Sequence, residues 1–204
     1  MRVLALSPHT DDVEFGAGAT LSRLVRDGAE VYSLALSACE RSVPEGSPPD
    51  VLRGEFAAAM DALGVTDHGV HDFPVRGFPS QRQRVLDLLV EARKQISPDL
   101  VLCPALSDTH QDHRVVAEEC VRAFRGVTTL GYVLPWNCPT VSVCGWREVF
   151  DADVDRKLRA LSCYRSQAGR PYATESAVRA HLVTAGLQSG RKYAEPFEVI
   201  RWVS

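Results

Sequence analysis

Short apolar runs and amphipathic stretches take turns along this chain, and that alternation restricts it to a sheet flanked by helices. Val3 to Ser7 is an apolar run closed by a proline, which predicts a buried strand. Gly18 to Asp27 carries Leu21, Leu24 and Val25 at helical spacing and stops at Gly28; Val31 to Ser37 reads as a second strand. Asp50 is placed to cap a helix through Leu52, Phe56, Met60 and Leu63, and Val70 to Phe73 predicts a short third strand. Ser80 to Ile96 is the longest helical stretch, followed by an apolar fourth strand, Leu100 to Cys103. A helix from Asp112 to Phe124 and a strand at Leu130 to Leu134 complete the regular part. Pro135 to Trp146 is rich in turn formers. Helices follow near Asp153 to Tyr164 and Glu175 to Ala185, with a late strand at Phe197 to Trp202. The expected fold class is α/β: a mostly parallel central sheet with helices on both faces.

That fold decides where chemistry belongs. Ligands of open parallel sheets sit beyond the carboxyl ends of the strands, where strand order reverses. Two polar segments follow predicted strands there: Pro8-His9-Thr10-Asp11-Asp12 after the first, and His110-Gln111-Asp112-His113 after the fourth. His9 and Asp12, three apart on a turn, can converge on one cation, and Asp11 between them is free to point past it. His113, in the first turn of a helix, is a rigid mount for a third ligand. His110, one turn earlier, can face a substrate, and Asp112 can orient its ring by accepting the second N–H. Three protein ligands leave one position for water, the pattern of a catalytic rather than a structural zinc site. The plainer alternative is an Asx-turn or helix cap at each segment. It explains a single aspartate better than it explains two segments complementary in metal-ligand type.

Other features are weaker. Gly16 and Gly18 lack the third glycine of a dinucleotide loop, and acidic residues precede them, so close helix packing is expected. His68, His71 and His181 read as loop or surface residues, whereas the Pro135-Trp136-Asn137 turn can line a pocket. Gly-x-Ser-x-Gly is absent. The 204 residues fit one domain spanning 1–204, and a net charge of -3 gives no electrostatic case for nucleic acid or an anionic membrane. No stretch approaches the roughly 20 apolar residues that span a bilayer. Six scattered cysteines without a Cys-x-x-Cys pair suggest buried free thiols, hence a cytoplasmic setting.

The double motif, Pro8 through Gly18 and His110 through Arg114, resembles the PIG-L (LmbE-like) family of zinc-dependent N-deacetylases, which implies a Rossmann-like α/β fold. Arg53 with Glu55-Phe56, Asp72-Phe73-Pro74, Ser97-Pro98-Asp99, Tyr164-Arg165-Ser166-Gln167 and Tyr193-Ala194-Glu195-Pro196-Phe197 follow in the family's order. The resemblance implies His9, Asp12 and His113 as ligands of Zn2+, with Fe2+ or Co2+ as alternatives, and Asp11 as general base. It also implies His110, oriented by Asp112, as partner of the reacting carbonyl and proton donor, with Arg53 and Tyr193 contacting substrate. Thr10 and Ala19 depart from the family's usual proline and glycine. The implied activity removes the acetyl group from an N-acetylglucosamine-type amino sugar or its nucleotide- or lipid-linked conjugate. The implied partner is therefore a small molecule, with self-association left open. Two other readings compete: a non-haem iron oxygenase using His110, Asp112 and His181 as a facial triad, and a metal-holding sugar-binding protein without catalysis.

Overall fold

The computed structural model describes residues 1–140 and 142–203. Seven strands form one sheet: β1 (Arg2–Ser7), β2 (Glu30–Ala35), β3 (Asp67–Val70), β4 (Leu100–Pro104), β5 (Thr128–Tyr132), β6 (Gly145–Val149) and β7 (Tyr193–Arg201). The helices are α1 (Asp12–Arg26), α2 (Val51–Leu63), α3 (Arg82–Ile96), α4 (Gln111–Ala123), α5 (Asp151–Ser162) and α6 (Glu175–Ser189). The order across the sheet is β3-β2-β1-β4-β5-β7-β6, parallel from β3 to β5 and antiparallel at β5–β7 and β7–β6. From β1 the chain winds outward to β2 and β3, then returns to set β4 on β1's other side. The reversal therefore falls between β1 and β4, whose carboxyl ends carry the two polar segments.

β1 also shows why both faces need helices. Successive side chains of a strand point to opposite faces. Val3 and Ala5 join a core with Leu21 and Leu24 of α1, Phe56 and Met60 of α2, and Val154 of α5. Leu4 and Leu6 join a second core with Val85 and Leu89 of α3 and Val116 and Cys120 of α4. Strands buried on both sides read as continuous apolar runs, and β1 and β4 do.

The structure departs from the sequence reading in four places. β3 is Asp67–Val70, not Val70 to Phe73; as an edge strand paired only with β2 it needs little apolar content, and Phe73 turns into the core. β6 occupies Gly145–Val149, inside and beyond the stretch expected as turns, of which Val141 lies outside the described residues. β7 starts four residues early, at Tyr193, because Glu195 is fully buried in it and hides the apolar pattern. Finally, α1 begins at Asp12, six residues before the expected start, since its first turn buries the carboxylates of Asp12 and Glu14 beside Val13 and Phe15.

A buried ion pair supports that early start. α1 breaks at Ala17, with φ −143° and ψ 15°. The groups freed there find side-chain partners: Lys157 Nζ donates to Phe15 O at 2.5 Å, and Glu195 accepts from the N–H groups of Ala19 (3.1 Å) and Thr20 (2.6 Å). Lys157 and Glu195, both fully buried, pair at 2.7 Å. Gly16 allows the close approach to β5, since a Cβ there would lie 2.3 Å from the Tyr132 ring. Close packing is thus the role of the glycines, as their spacing implied. No described helix is long and apolar enough to cross a membrane.

Candidate metal and catalytic site

Two loops build the site's floor. After β1 the chain turns through Pro8–Asp11 into α1, where Ser7 Oγ accepts the Val13 N–H at 3.1 Å. After β4 it turns through residues 105–110 into α4, where Asp108 Oδ1 accepts the His110 N–H at 2.8 Å. Adjacent strands bring these turns together, as the topology requires.

Three atoms meet at this junction. His9 Nδ1 lies 3.2 Å from Asp12 Oδ2, His113 Nε2 lies 3.2 Å from the same oxygen, and the two nitrogens are 3.1 Å apart. Tetrahedral zinc with ligands at about 2.0–2.2 Å requires ligand atoms roughly 3.3–3.6 Å from one another. The triangle is close to that size. Each imidazole is also fixed from behind: His9 Nε2 meets Asp112 Oδ2 at 3.1 Å, and His113 Nδ1 meets Asp108 Oδ2 at 2.8 Å. Asp12 Oδ2 takes the His9 N–H at 2.8 Å. A carboxylate behind each ring sets the tautomer that leaves the front nitrogen's lone pair free.

The electrostatics point the same way. Burial pushes the His113 ring down, but Asp12 and Asp108 outweigh it and hold it up to about 10. His9 is raised by the same contest, burial against Asp12 and Asp112. Burial would raise Asp12, yet His113 and His9 pull it below the usual carboxylate range. Protons are held tightly where a cation would sit. Nitrogens of His9, His110 and His113 also lie within 4.8 Å of one another, which offers a second donor set. The set with Asp12 is tighter, and His110 Nδ1 is already engaged by the Asp112 N–H at 3.2 Å. These residues can hold a divalent metal.

Asp11 and His110 flank the triangle on the side of a cavity of about 270 Å³. Burial and Asp12 raise the Asp11 carboxyl, against Arg170 and His9. Burial, then His113 and His9, lower the His110 ring. The wall opposite is aromatic: Trp136 stacks on Tyr172 with ring centroids 4.0 Å apart, and Phe15 meets both edge-on. Arg170 Nη1 reaches Tyr172 Oη at 2.5 Å and lies 4.0 Å from Asp11 Oδ2. Cys39 also lines the cavity, but burial and the two aspartates push its thiol up to about 12, so no thiolate is available. All six cysteines are free.

Of the residues singled out in the sequence, His9, Asp11, Asp12, His110 and His113 line one cavity. The structure places three residues away from the contacts expected of them. The Asp112 carboxylate does not orient His110; it turns to His9 and accepts the N–H groups of Arg76 (2.6 Å) and Phe78 (3.3 Å). Residues two apart on a helix do not face each other, so His110 receives only the Asp112 backbone. Arg53 lies off the cavity, spanning α2 to β3 by bonding Val70 O at 3.0 Å and pairing with Asp72. Tyr193 sits in the β6–β7 pair opposite Val149, its ring under Lys192. The oxygenase triad is not assembled either, since His181 sits half-buried on α6 and does not line the cavity.

Sequence reasoning missed Asp108, Arg170 and Tyr172. Asp108 stands two residues before His110, where a turn-forming aspartate is unremarkable. Arg170-Pro171-Tyr172 belongs to a loop whose position depends on distant packing.

Comparison with known proteins follows from this geometry. The sequence profile of the PIG-L family, described as GlcNAc-PI de-N-acetylase, matches residues 4–124. A 1D-myo-inositol 2-acetamido-2-deoxy-alpha-D-glucopyranoside deacetylase of Kineococcus radiotolerans is 27% identical over 184 residues, covering 69% of this chain and 50% of that protein. The chain thus spans about half the length of that curated relative. Among solved structures, a conserved protein of Thermus thermophilus superposes with a TM-score of 0.79 at 27% identity, covering 98% of this chain and 96% of its own. The N,N'-diacetylchitobiose deacetylase of Pyrococcus horikoshii gives 0.82 at 22% identity, covering 98% and 83%, which speaks for the fold.

Proposed function

This chain belongs to the PIG-L family, and from that premise we propose that it is a metal-dependent deacetylase hydrolysing the N-acetyl group of an amino sugar. The substrate is an N-acetylglucosamine-type unit or its conjugate, the products are acetate and the free amine, and residues 1–204 act as one domain. One observation carries this reading. The His9–Asp12–His113 triangle has an open side toward the cavity, and that side is flanked by a carboxylate and an imidazole that metal retention alone does not need.

His9 Nδ1, Asp12 Oδ2 and His113 Nε2 would hold the ion. A bound zinc supplies Lewis acidity toward the acetamide oxygen and lowers the pKa of water toward ~7. Asp11 removes the proton of the attacking water, a contribution of roughly 10²–10⁴-fold. His110 accepts the Asp112 N–H on Nδ1, so its neutral ring carries the proton on Nε2. From there it donates a hydrogen bond to the acetamide oxygen as charge builds on it. A ring held neutral is a weak acid, so the leaving amine takes its proton from Asp11, which has just received one from water. The raised Asp11 carboxyl suits that second task. Asp112 and Asp108 keep the two ligand rings in the metal-binding tautomer.

Trp136 and Tyr172 offer the apolar face of a sugar ring a stacking surface, with Arg170 at the edge. Acetate release from a panel of N-acetylglucosamine conjugates, with and without a chelator, tests the proposal. Chelator-sensitive acetate is expected; metal binding without acetate from any conjugate would leave a non-catalytic binding protein.

A further inference from the structure

A second, shallower cleft opens beside the cavity, lined by Arg41, Pro74, Val75, Arg76 and Gly77. It shares Val75 and Arg76 with the main cavity, so the two meet at one wall. Two of its five lining residues are arginines and none is acidic. Neither guanidinium forms an ion pair or hydrogen bond among the described residues. Arg41 also lines the neighbouring groove with Glu40 and Asp72, and Asp72 is taken by Arg53.

Strained backbone lies at one arginine and close to the other. Arg76 has φ 66°, in the left-handed region that L side chains rarely adopt. It is held there from both sides, its N–H given to Asp112 Oδ2 at 2.6 Å and its carbonyl receiving Gln111 Nε2 at 2.9 Å. The turn of α4 that carries His113 therefore also fixes Arg76. Arg41 follows shortly after Cys39, whose φ is 53° and whose N–H is held by Ser37 Oγ at 3.1 Å. Strained residues of this kind gather at ligand clamps. A guanidinium that merely needs solvation has no use for such support.

We propose that this cleft is an anion subsite that binds a phosphoryl group carried by the substrate, with Arg41 and Arg76 as its two guanidinium ligands. The proposal rests on the amino-sugar reading of the main cavity. A carboxylate is satisfied by one bidentate guanidinium fork; two arginines lining one cleft suit the greater charge and additional oxygens of a phosphoryl group. Size agrees. The main cavity, about 270 Å³, is at the lower edge of the usual ligand-pocket range, so an acetamido sugar fills most of it. A substituent beyond the sugar has to leave past a wall, and the Val75–Arg76 wall leads into the cleft. A sugar phosphate and the diphosphate of a nucleotide sugar share the chemistry this subsite reads.

Calorimetry on zinc-loaded Asp11→Asn protein at low ionic strength tests the subsite without turnover. The probes are N-acetylglucosamine, its 1-phosphate, its 6-phosphate, UDP-N-acetylglucosamine, and N-acetylmuramic acid as the carboxylate. At least one phosphorylated probe should bind ~10–100-fold tighter than the neutral sugar. Arg41→Gln and Arg76→Gln should each erase about 10-fold of that preference, and Arg41→Glu, on an exposed turn, should reverse it. Preference for a monophosphate identifies a sugar phosphate; preference for the UDP conjugate identifies a nucleotide sugar. Equal affinity for neutral and phosphorylated sugars overturns the proposal. So does a preference that survives Arg41→Glu, or one that N-acetylmuramic acid matches. Wild-type protein that binds phosphorylated sugar selectively but releases no acetate would sink the deacetylase reading and keep the subsite; the converse would do the opposite.

Discussion

The floor of the site and its upper wall are built by opposite means. On the floor the metal-binding groups have buried partners: His9 is backed by Asp112, His113 by Asp108, and both lean on Asp12. Asp12, Asp108, Asp112 and His113 are all less than a tenth exposed. The wall comes largely from loops and is open: Trp136 is 41% exposed, and Arg41 and Arg76 are exposed, their guanidiniums unpaired among the described residues. In the proposed reaction, strand ends therefore fix where bonds are made and broken, whereas surface loops select the substrate. Catalytic groups need position held within fractions of an ångström; groups that select a substrate can afford exposure.

Substitutions along this divide should separate turnover from affinity. The largest effect is expected of Asp11→Asn, which keeps the metal and loses roughly 10²–10⁴-fold in kcat. Metal analysis alongside acetate assays checks it, and near-wild-type turnover would remove Asp11 from the role of base. Next, Asp108→Asn replaces the acceptor behind His113 with an amide and should weaken metal affinity about 10–100-fold, read by competition with a chelator. An unchanged affinity would mean that the partner behind His113 contributes nothing to the floor. On the wall, Trp136→Ala should raise KM by roughly 10-fold while sparing kcat, a split that KM and kcat for one sugar conjugate reveal. A fall in kcat with unchanged KM would move Trp136 from wall to floor.

A last effect lies away from the site and appears only in acid. His181 is half-buried, and burial, helped by Lys157, lowers its ring to about 4. An unfolded histidine titrates near ~6.5, so between those values the unfolded chain binds more protons and stability falls as pH drops. The loss grows by about 1.4 kcal/mol per pH unit until the folded ring also titrates near 4. His181→Leu should narrow the difference in denaturant midpoint between pH 7 and pH 4.5. An unchanged difference would mean that His181 is solvated.

The same divide governs what the sequence disclosed. β1 and β4 were legible because strands buried on two faces are written in consecutive apolar residues. The floor was legible because His9-Thr10-Asp11-Asp12 and His110-Gln111-Asp112-His113 stand at strand ends, and topology alone brings those ends together. β3 and β6 were misread because both lie at sheet edges, where one neighbour suffices and polar residues are tolerated. Glu195 concealed the start of β7 because its partner, Lys157, lies 38 positions away in the chain. Asp112 was assigned to the wrong ring since neighbours in sequence two apart diverge on a helix. Arg170 and Tyr172 carried no signal, because a loop reaches Asp11 only once α5, α6 and the turn at Trp136 have packed.

The most direct trial is metal analysis with X-ray absorption on zinc-loaded wild-type and His113→Ala proteins. The account predicts one zinc per chain in the wild type, with two imidazole nitrogens and oxygen donors in the first shell, and loss of both zinc and acetate release in His113→Ala. Zinc at full occupancy and undiminished acetate release in His113→Ala would contradict it.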